Sequence, residues 1–375
     1  MSERIYLDYA ATTPVRIEVI EKITEVMGSY WGNPSSQHGS GREAKRSLEA
    51  SRTQIANLLG VNGRGITFTS GATEANNLII RSNALRLREA TGKNHIITGI
   101  AEHPSVYDLF KELEEEGFEA SYIGLDETGV YDIQELREAI REETILASLM
   151  AVNNETGAVM PIREIADLFH ENEIFFHSDF AQTVGKVDLT ITDSGADAVS
   201  ITAHKIYGPK GVGLAYQNPD IPLRGLLSGG HQESDRRAGT ESVALIAGFA
   251  KALEIVQNEL AENTAHYAEL SEYLYKQLDV NEIKYDTNIT AETFNGIHNI
   301  WFEGLDSSQA LIRLDLQGIA VSAGSACAAG SLEPSRILAS IFADESRLKQ
   351  SLRISFGIFT EKEDIDKLVA AIGTF

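Results

Sequence analysis

The chain has 375 residues, 43% of them apolar and 23% charged, with 32 basic and 55 acidic side chains and a formal net charge of −23. That length calls for two domains or one large domain with a lobe, and the composition excludes disordered, collagenous and disulfide-scaffold classes. So acidic a chain repels phosphate backbones, which argues against nucleic-acid binding by its surface as a whole.

The N-terminal stretch MSERIYLDYAATTP carries acids and no long apolar run, so it does not read as a signal peptide. Val15, Val19, Ile23 and Met27 recur at every fourth residue with Glu18, Glu21, Lys22 and Glu25 between them. This predicts an amphipathic helix with Thr13 as its N-cap and Pro14 at the first helical position. A second helix is expected over 42–59, stopped by Gly60. A strand, Ile66–Thr69, then leads through Ser70-Gly71-Ala72-Thr73 into the helix EANNLIIRSNALRL.

The alternation continues. HIITGI, ASYIGL, TILASLMAV, IFFHSD and ADAVSIT read as strands, with helices expected over 104–116, 133–142 and 161–171. Strands alternating with helices imply a mostly parallel sheet covered on both faces, an α/β fold. Beyond residue 240 the character changes. ESVALIAGFAKALEIVQNEL and the stretch to 278 predict long helices bridging to a second lobe. There GIHNIWF, IAVSAG and LRISF read as strands, and helices are expected over 308–316, 335–342 and at the C-terminal end. The longest apolar runs are strand-sized, well short of the ~20 residues of a membrane span.

Several polar residues fall at strand ends, where open α/β sheets bind ligands. Lys205, in SITAHKIYGPKG, follows an apolar strand; its amine could form a Schiff base with an aldehyde, although a surface lysine before a turn fits the same context. Asp179 ends the strand IFFHSD and could hold a pyridinium nitrogen protonated, or simply cap a helix. His177 alternates with Asp179, but no further ligand at metal spacing appears, so no resident metal is expected. Ser70-Gly71-Ala72-Thr73 could close backbone N–H groups on an anion, although it is not a P-loop. His103 in AEHPS, and Asn153 and Asn154 after LASLMAV, also sit at strand ends.

Cys327 is the only cysteine, so the chain cannot form an internal disulfide, and a reducing, cytoplasmic home is expected. Its context, SAGSACAAGSLEPS, lacks core periodicity and reads as a mobile loop; the thiol could be reactive or inert. Arg353 in LRISFG could form an ion pair or receive a carboxylate.

With these residues in hand, the chain resembles the cysteine desulfurases of the pyridoxal-phosphate fold-type I superfamily, in the class-V aminotransferase group. The matching motifs run nearly end to end: YLDYAATTP at 6–14, GNPSS at 32–36, FTSGATEANN at 68–77, EH at 102–103, VNNETG at 152–157, HSDFAQTVGK at 177–186, AHKIYGPKG at 203–211, RRAGTES at 236–242, SAGSACAAGSLEPS at 322–335 and LRISFG at 352–357. The long cysteine segment resembles the subgroup with an extended mobile loop. The resemblance implies a large pyridoxal-phosphate domain over 15–255, with a mostly parallel central sheet. It implies a smaller α+β domain from 1–14 and 256–375 that carries the cysteine loop.

It also implies roles. Lys205 would carry pyridoxal 5'-phosphate covalently, Asp179 would pair with the ring nitrogen, Gln182 and Asn154 would contact the ring oxygen, and His103 would stack on the ring and handle protons. Ala72, Thr73, Thr202 and His204 would hold the phosphate. Thr240 would reach the phosphate site of a second subunit, implying a homodimer. Asn33 and Arg353 would receive the carboxylate of L-cysteine, and Cys327 would take the sulfur as a persulfide for an acceptor protein in iron–sulfur assembly or tRNA thiolation. Where relatives often have serine, Thr202 keeps the hydroxyl. Selenocysteine lyase and class-V aminotransferase are the nearest alternatives, and a non-catalytic interaction scaffold a remote one; neither a membrane nor direct nucleic-acid contact is implied.

Overall fold

The computed structural model describes residues 4–324 and 335–375. The chain opens with β1 (Ile5–Tyr6), α1 (Ile17–Ser29) and α2 (Gly39–Leu59). α1 starts later than the Thr13–Pro14 signal predicts, with Arg16 at its N-cap. Thr13 is used elsewhere: its hydroxyl donates to the His204 carbonyl at 2.9 Å and accepts from the Tyr207 N–H at 2.8 Å. A long-range bond has displaced a local cap. α2 ends as expected, on Gly60 in the left-handed conformation at φ 66°.

β2 (Ile66–Thr69), β3 (His95–Gly99), β4 (Glu119–Ile123), β5 (Thr144–Ser148), β6 (Phe175–Asp179), β7 (Ala198–Thr202) and β8 (Gly213–Gln217) form one sheet in the order β2-β8-β7-β6-β5-β3-β4. α3 (Ala72–Thr91) leads from β2 into β3, and β3 to β7 run parallel, joined through α4 (Pro104–Glu115), α5 (Ile133–Ala139), α6 (Ile162–Glu171) and α7 (Ile191–Ser194). β3, β5, β6 and β7 are buried along their whole length, as apolar strands under helices on both faces must be. Ile79, Ile80 and Phe110 pack on one face, and Phe169, Phe176 and Phe249 on the other. Burying one such phenylalanine contributes about 1.5–3 kcal/mol.

β8 escapes the sequence reading. It is short, begins at a glycine and lies directly behind the Lys205 loop. It returns antiparallel between β7 and β2, a connection that needs no crossover helix. Gly213 is required there: a Cβ would lie 2.7 Å from the Gly71 Cα.

α8 (Val243–Asn258) and α9 (Leu260–Val280) lead to the second lobe. There β9 (Tyr285–Thr287), β10 (Ile297–Phe302) and β12 (Ser351–Ser355) make an antiparallel sheet in the order β12-β10-β9. α10 (Ser307–Leu316), β11 (Ile319–Ala320), α11 (Arg336–Ile341), α12 (Glu345–Lys349) and α13 (Lys362–Ile372) complete it. The strand expected from IAVSAG shrinks to β11, which pairs in parallel with β1; Ser322 adds only an isolated bridge to Arg353. Ile5, Leu7 and Ala10 therefore share a core with Leu274, Ile300 and Leu352.

Candidate active site

The carboxyl ends of the parallel strands open into a cavity of about 540 Å³. Ala72 and Thr73 line it from the first turn of α3, and His103 from the N-cap of α4. Asp179 lines it from the end of β6, and Asn154 and Gln182 from the segments following β5 and β6. Thr202, His204 and Lys205 complete it from the end of β7 and the turn behind. Parallel strands with the same sense bring their ends to one edge, which is why residues distant in sequence converge here.

Asp179 is buried, and its carboxylate accepts from the Asn76 amide at 2.8 Å and from the Ala181 N–H at 2.8 Å. The same Asn76 nitrogen donates to the Ser105 hydroxyl oxygen at 2.9 Å. That hydroxyl lies 2.8 Å from His103 Nδ1, which also accepts from the Ser105 N–H at 3.1 Å. With Nδ1 accepting, the neutral imidazole carries its proton on Nε2. Burial holds the His103 pKa below its ordinary value against the pull of Asp179, so the neutral form is favoured. Asn76 and Ser105 thus tie the acid and the imidazole together. The sequence reading missed both. The available signal was an asparagine in α3 among apolar residues of its buried face.

Lys205 Nζ donates to the main-chain carbonyls of Ala10 and, at 2.9 Å, of Ala11. His204 Nδ1 lies 3.2 Å from the Thr12 hydroxyl, and burial with the nearby Lys205 pushes its pKa down to about 4. Ala11 and Thr12 of the N-terminal segment line one wall of the cavity. Behind β6, His177 uses both ring nitrogens on Ser148 and Ser200, at 2.8 and 2.9 Å, and burial pushes its pKa to about 3. That histidine braces three strands. No group of three or more His, Cys, Asp or Glu side chains arranged for a metal occurs among the described residues.

Glu102 lies beneath this floor, 1% exposed. It accepts from the Tyr131 hydroxyl and, at 2.6 Å, from the N–H of Met150, a residue of the cavity lining. Burial, with Asp179 nearby, raises its pKa from 4.5 to about 8. Between those values the folded chain holds a proton that the unfolded chain releases, so stability falls as pH rises through this window. Glu102→Gln should remove on the order of a few kcal/mol of that fall between about pH 5 and pH 8. Denaturant melts of both proteins across the window test this; parallel slopes would refute it.

The lining fits a phosphorylated aromatic aldehyde. Asn154 Oδ1 and Thr202 Oγ1 are buried without a hydrogen-bond partner, and both residues line the cavity. The N-terminus of α3, 20 residues long, brings backbone N–H groups and the positive end of its dipole to the same edge. A buried carboxylate, an imidazole and a primary amine supply the partners for a ring nitrogen, a ring face and an aldehyde.

Three expected residues lie outside the lining. Asn33 is exposed, and its side chain accepts from the Ser35 N–H at 2.9 Å. Thr240 is exposed, on a segment tied to α3 by Arg237, which donates to Glu74 at 2.8 Å. Arg353 is 1% exposed; it donates to the Asp8 carboxylate at 2.7 Å and to the Asn154 carbonyl at 2.9 Å, directly behind a lining residue. Cys327 lies outside the described residues.

Comparison with known proteins agrees along the chain. The aminotransferase class-V family model matches residues 5–368. A cysteine desulfurase IscS of Dictyoglomus turgidum (strain DSM 6724 / Z-1310) is 40% identical over 368 residues, 98% of this chain and 93% of that protein. A Bacillus subtilis (strain 168) protein named putative cysteine desulfurase IscS 1 is also 40% identical, over 97% of this chain and 96% of its own. A solved structure described as a NifS-like protein superposes with a TM-score of 0.92 at 32% identity, covering 99% of each chain.

Proposed function

The chain belongs to the class-V aminotransferase family and, within it, to the cysteine desulfurases, and from that premise we propose that its cavity holds pyridoxal 5'-phosphate and L-cysteine and that Cys327 receives the sulfur. The convergence of Lys205, Asp179 and His103 on one cavity with unsatisfied Asn154 and Thr202 atoms supports this reading. When bound, the cofactor supplies an electron sink for negative charge developing at the substrate α-carbon.

The residues of the chain do the rest. Ala72, Thr73, Thr202 and His204 hold the phosphate, and Asn154 and Gln182 contact the ring oxygen. Asp179, fixed by Asn76 and Ala181, keeps a proton on the ring nitrogen. Lys205 would hold the cofactor, and its Nζ would be the base that removes the α-proton and can return it. His103 stacks on the ring and manages the proton on the substrate sulfur through Nε2. Asn33 and Arg353 receive the substrate carboxylate, for which Arg353 would exchange Asp8 as its partner. The Cys327 thiolate attacks the substrate sulfur: an S–S bond forms, the C–S bond breaks with its electron pair left on carbon, and alanine departs after protonation. The persulfide passes to an acceptor protein, an iron–sulfur scaffold or a tRNA-thiolation enzyme. Thr240, exposed on its own subunit, serves the phosphate site of a second copy in a homodimer. A lone thiol used this way suits the reducing cytoplasm. Among the described residues no helix is long and apolar enough to cross a membrane.

The purified protein with pyridoxal phosphate and L-cysteine should release alanine and gain one sulfur atom on the peptide containing Cys327. A keto acid in place of alanine would move the reading to transamination.

A further inference from the structure

Lys186 is an amine close to the site for which the chemistry above has no use. Burial, and then the charges of Lys205 and Arg353, push its pKa well below the ordinary lysine value. His204 also feels its charge, and the Phe294 ring lies 5.8 Å from its Nζ. A lysine stem usually carries its head to water. This one ends on the side-chain oxygen of Gln182.

We propose that Lys186 is a positioning residue that locks the Gln182 amide with its N–H edge toward the cavity, and so sets the charge environment of the ring oxygen of the bound cofactor. The proposal rests on the cofactor reading above. Its geometry is independent of that reading. The Lys186 head group donates to the carbonyl oxygen of Gln182. Gln182 Nε2 then donates one N–H to the Ala10 carbonyl at 2.8 Å, which only an amide nitrogen can do. The second N–H remains for the cavity that Gln182 lines while being only 3% exposed. Two opposite restraints, Lys186 on oxygen and Ala10 on nitrogen, therefore forbid the flipped amide.

The turn that delivers Lys186 is also constrained. Gly185 has φ 71°, and a Cβ there would meet Val256 at 2.7 Å. The main chain thus presses against α8, and the Lys186 N–H bonds the Thr183 carbonyl at 3.1 Å, closing the turn over Gln182.

The consequence is spectroscopic. An amide N–H held toward the ring oxygen, with its carbonyl engaged by the Lys186 donor, stabilises negative charge on that oxygen and disfavours a proton on the neighbouring Schiff-base nitrogen. Removing Lys186 should raise the pH at which the visible band of the bound cofactor titrates. In the holoprotein, Lys186→Met should move that midpoint upward by about one pH unit, a tenfold change in proton affinity. Lys186→Arg, which keeps a donor for the Gln182 oxygen, should stay near the wild-type midpoint. Gln182→Leu should shift the midpoint in the same direction as Lys186→Met, and the double variant should add little, because both act through one amide.

Circular dichroism checks that each variant folds. If Lys186→Met does not, Lys186→Leu carries the test, with an upward shift expected. An unshifted midpoint in a folded Lys186→Met or Lys186→Leu protein, or fully additive shifts in the double variant, overturns the proposal. A wild-type protein that shows no visible band with pyridoxal phosphate would instead overturn the cofactor reading beneath it.

Discussion

Replacing Lys205 with alanine is expected to abolish the visible absorbance of the pyridoxal-phosphate-loaded protein and to reduce alanine formation from L-cysteine by about 10³-fold or more. The loss is large because one amine carries both the covalent link and the α-proton transfer, and no other described lysine side chain lines the cavity except Lys210, on the far side of the Gly208 turn. The fold should survive. Lys205 is only partly buried, and it donates to the main-chain carbonyls of Ala10 and Ala11, the first of which keeps the Gln182 amide as a partner. Absorbance spectra, alanine quantitation and a thermal melt read the three parts separately. Turnover of cysteine at the wild-type rate would remove Lys205 from the mechanism.

Cys327→Ser should separate cofactor chemistry from sulfur transfer. It is the only thiol in the chain, so no neighbour can substitute. A serine hydroxyl is hardly ionised at neutral pH and attacks sulfur poorly, whereas a thiolate is the competent nucleophile. The variant should bind pyridoxal phosphate and show the spectral change that L-cysteine induces, yet make alanine about 10³-fold more slowly and acquire no sulfur by mass spectrometry. Undiminished alanine release would favour a lyase or aminotransferase that needs no thiol.

The alternation of strand and helix was legible because it is a local property. Apolar runs in IFFHSD and ADAVSIT can be buried only as central strands, and glycines at Gly60 and Gly71 mark where helices stop and start. The types of residue at the strand ends were equally legible: an amine, a carboxylate and an imidazole in loops have no packing role to explain them. The motifs around them pointed to one family, and the comparisons agree.

What the tertiary structure decided are the partners. Asn76 and Asp179 lie 103 residues apart, and only the stacking of α3 over β6 turns an asparagine of the FTSGATEANN motif into the clamp on the acid. Thr13 looked like a cap because caps are read from the next few residues, but its hydroxyl is taken by residues 204–207 across the cavity. Glu102 is an ordinary acid in sequence; its raised pKa exists only because Tyr131, Met150 and the sheet exclude water around it. The Arg353 guanidinium meets Asp8 from 345 residues away because β1 joins the small lobe. Periodicity, caps and loop composition are short-range and determine the elements of this protein. Desolvation, ion pairing and amide orientation depend on which elements are brought together, and those are set only when the sheet, its helices and the N-terminal segment pack against one another.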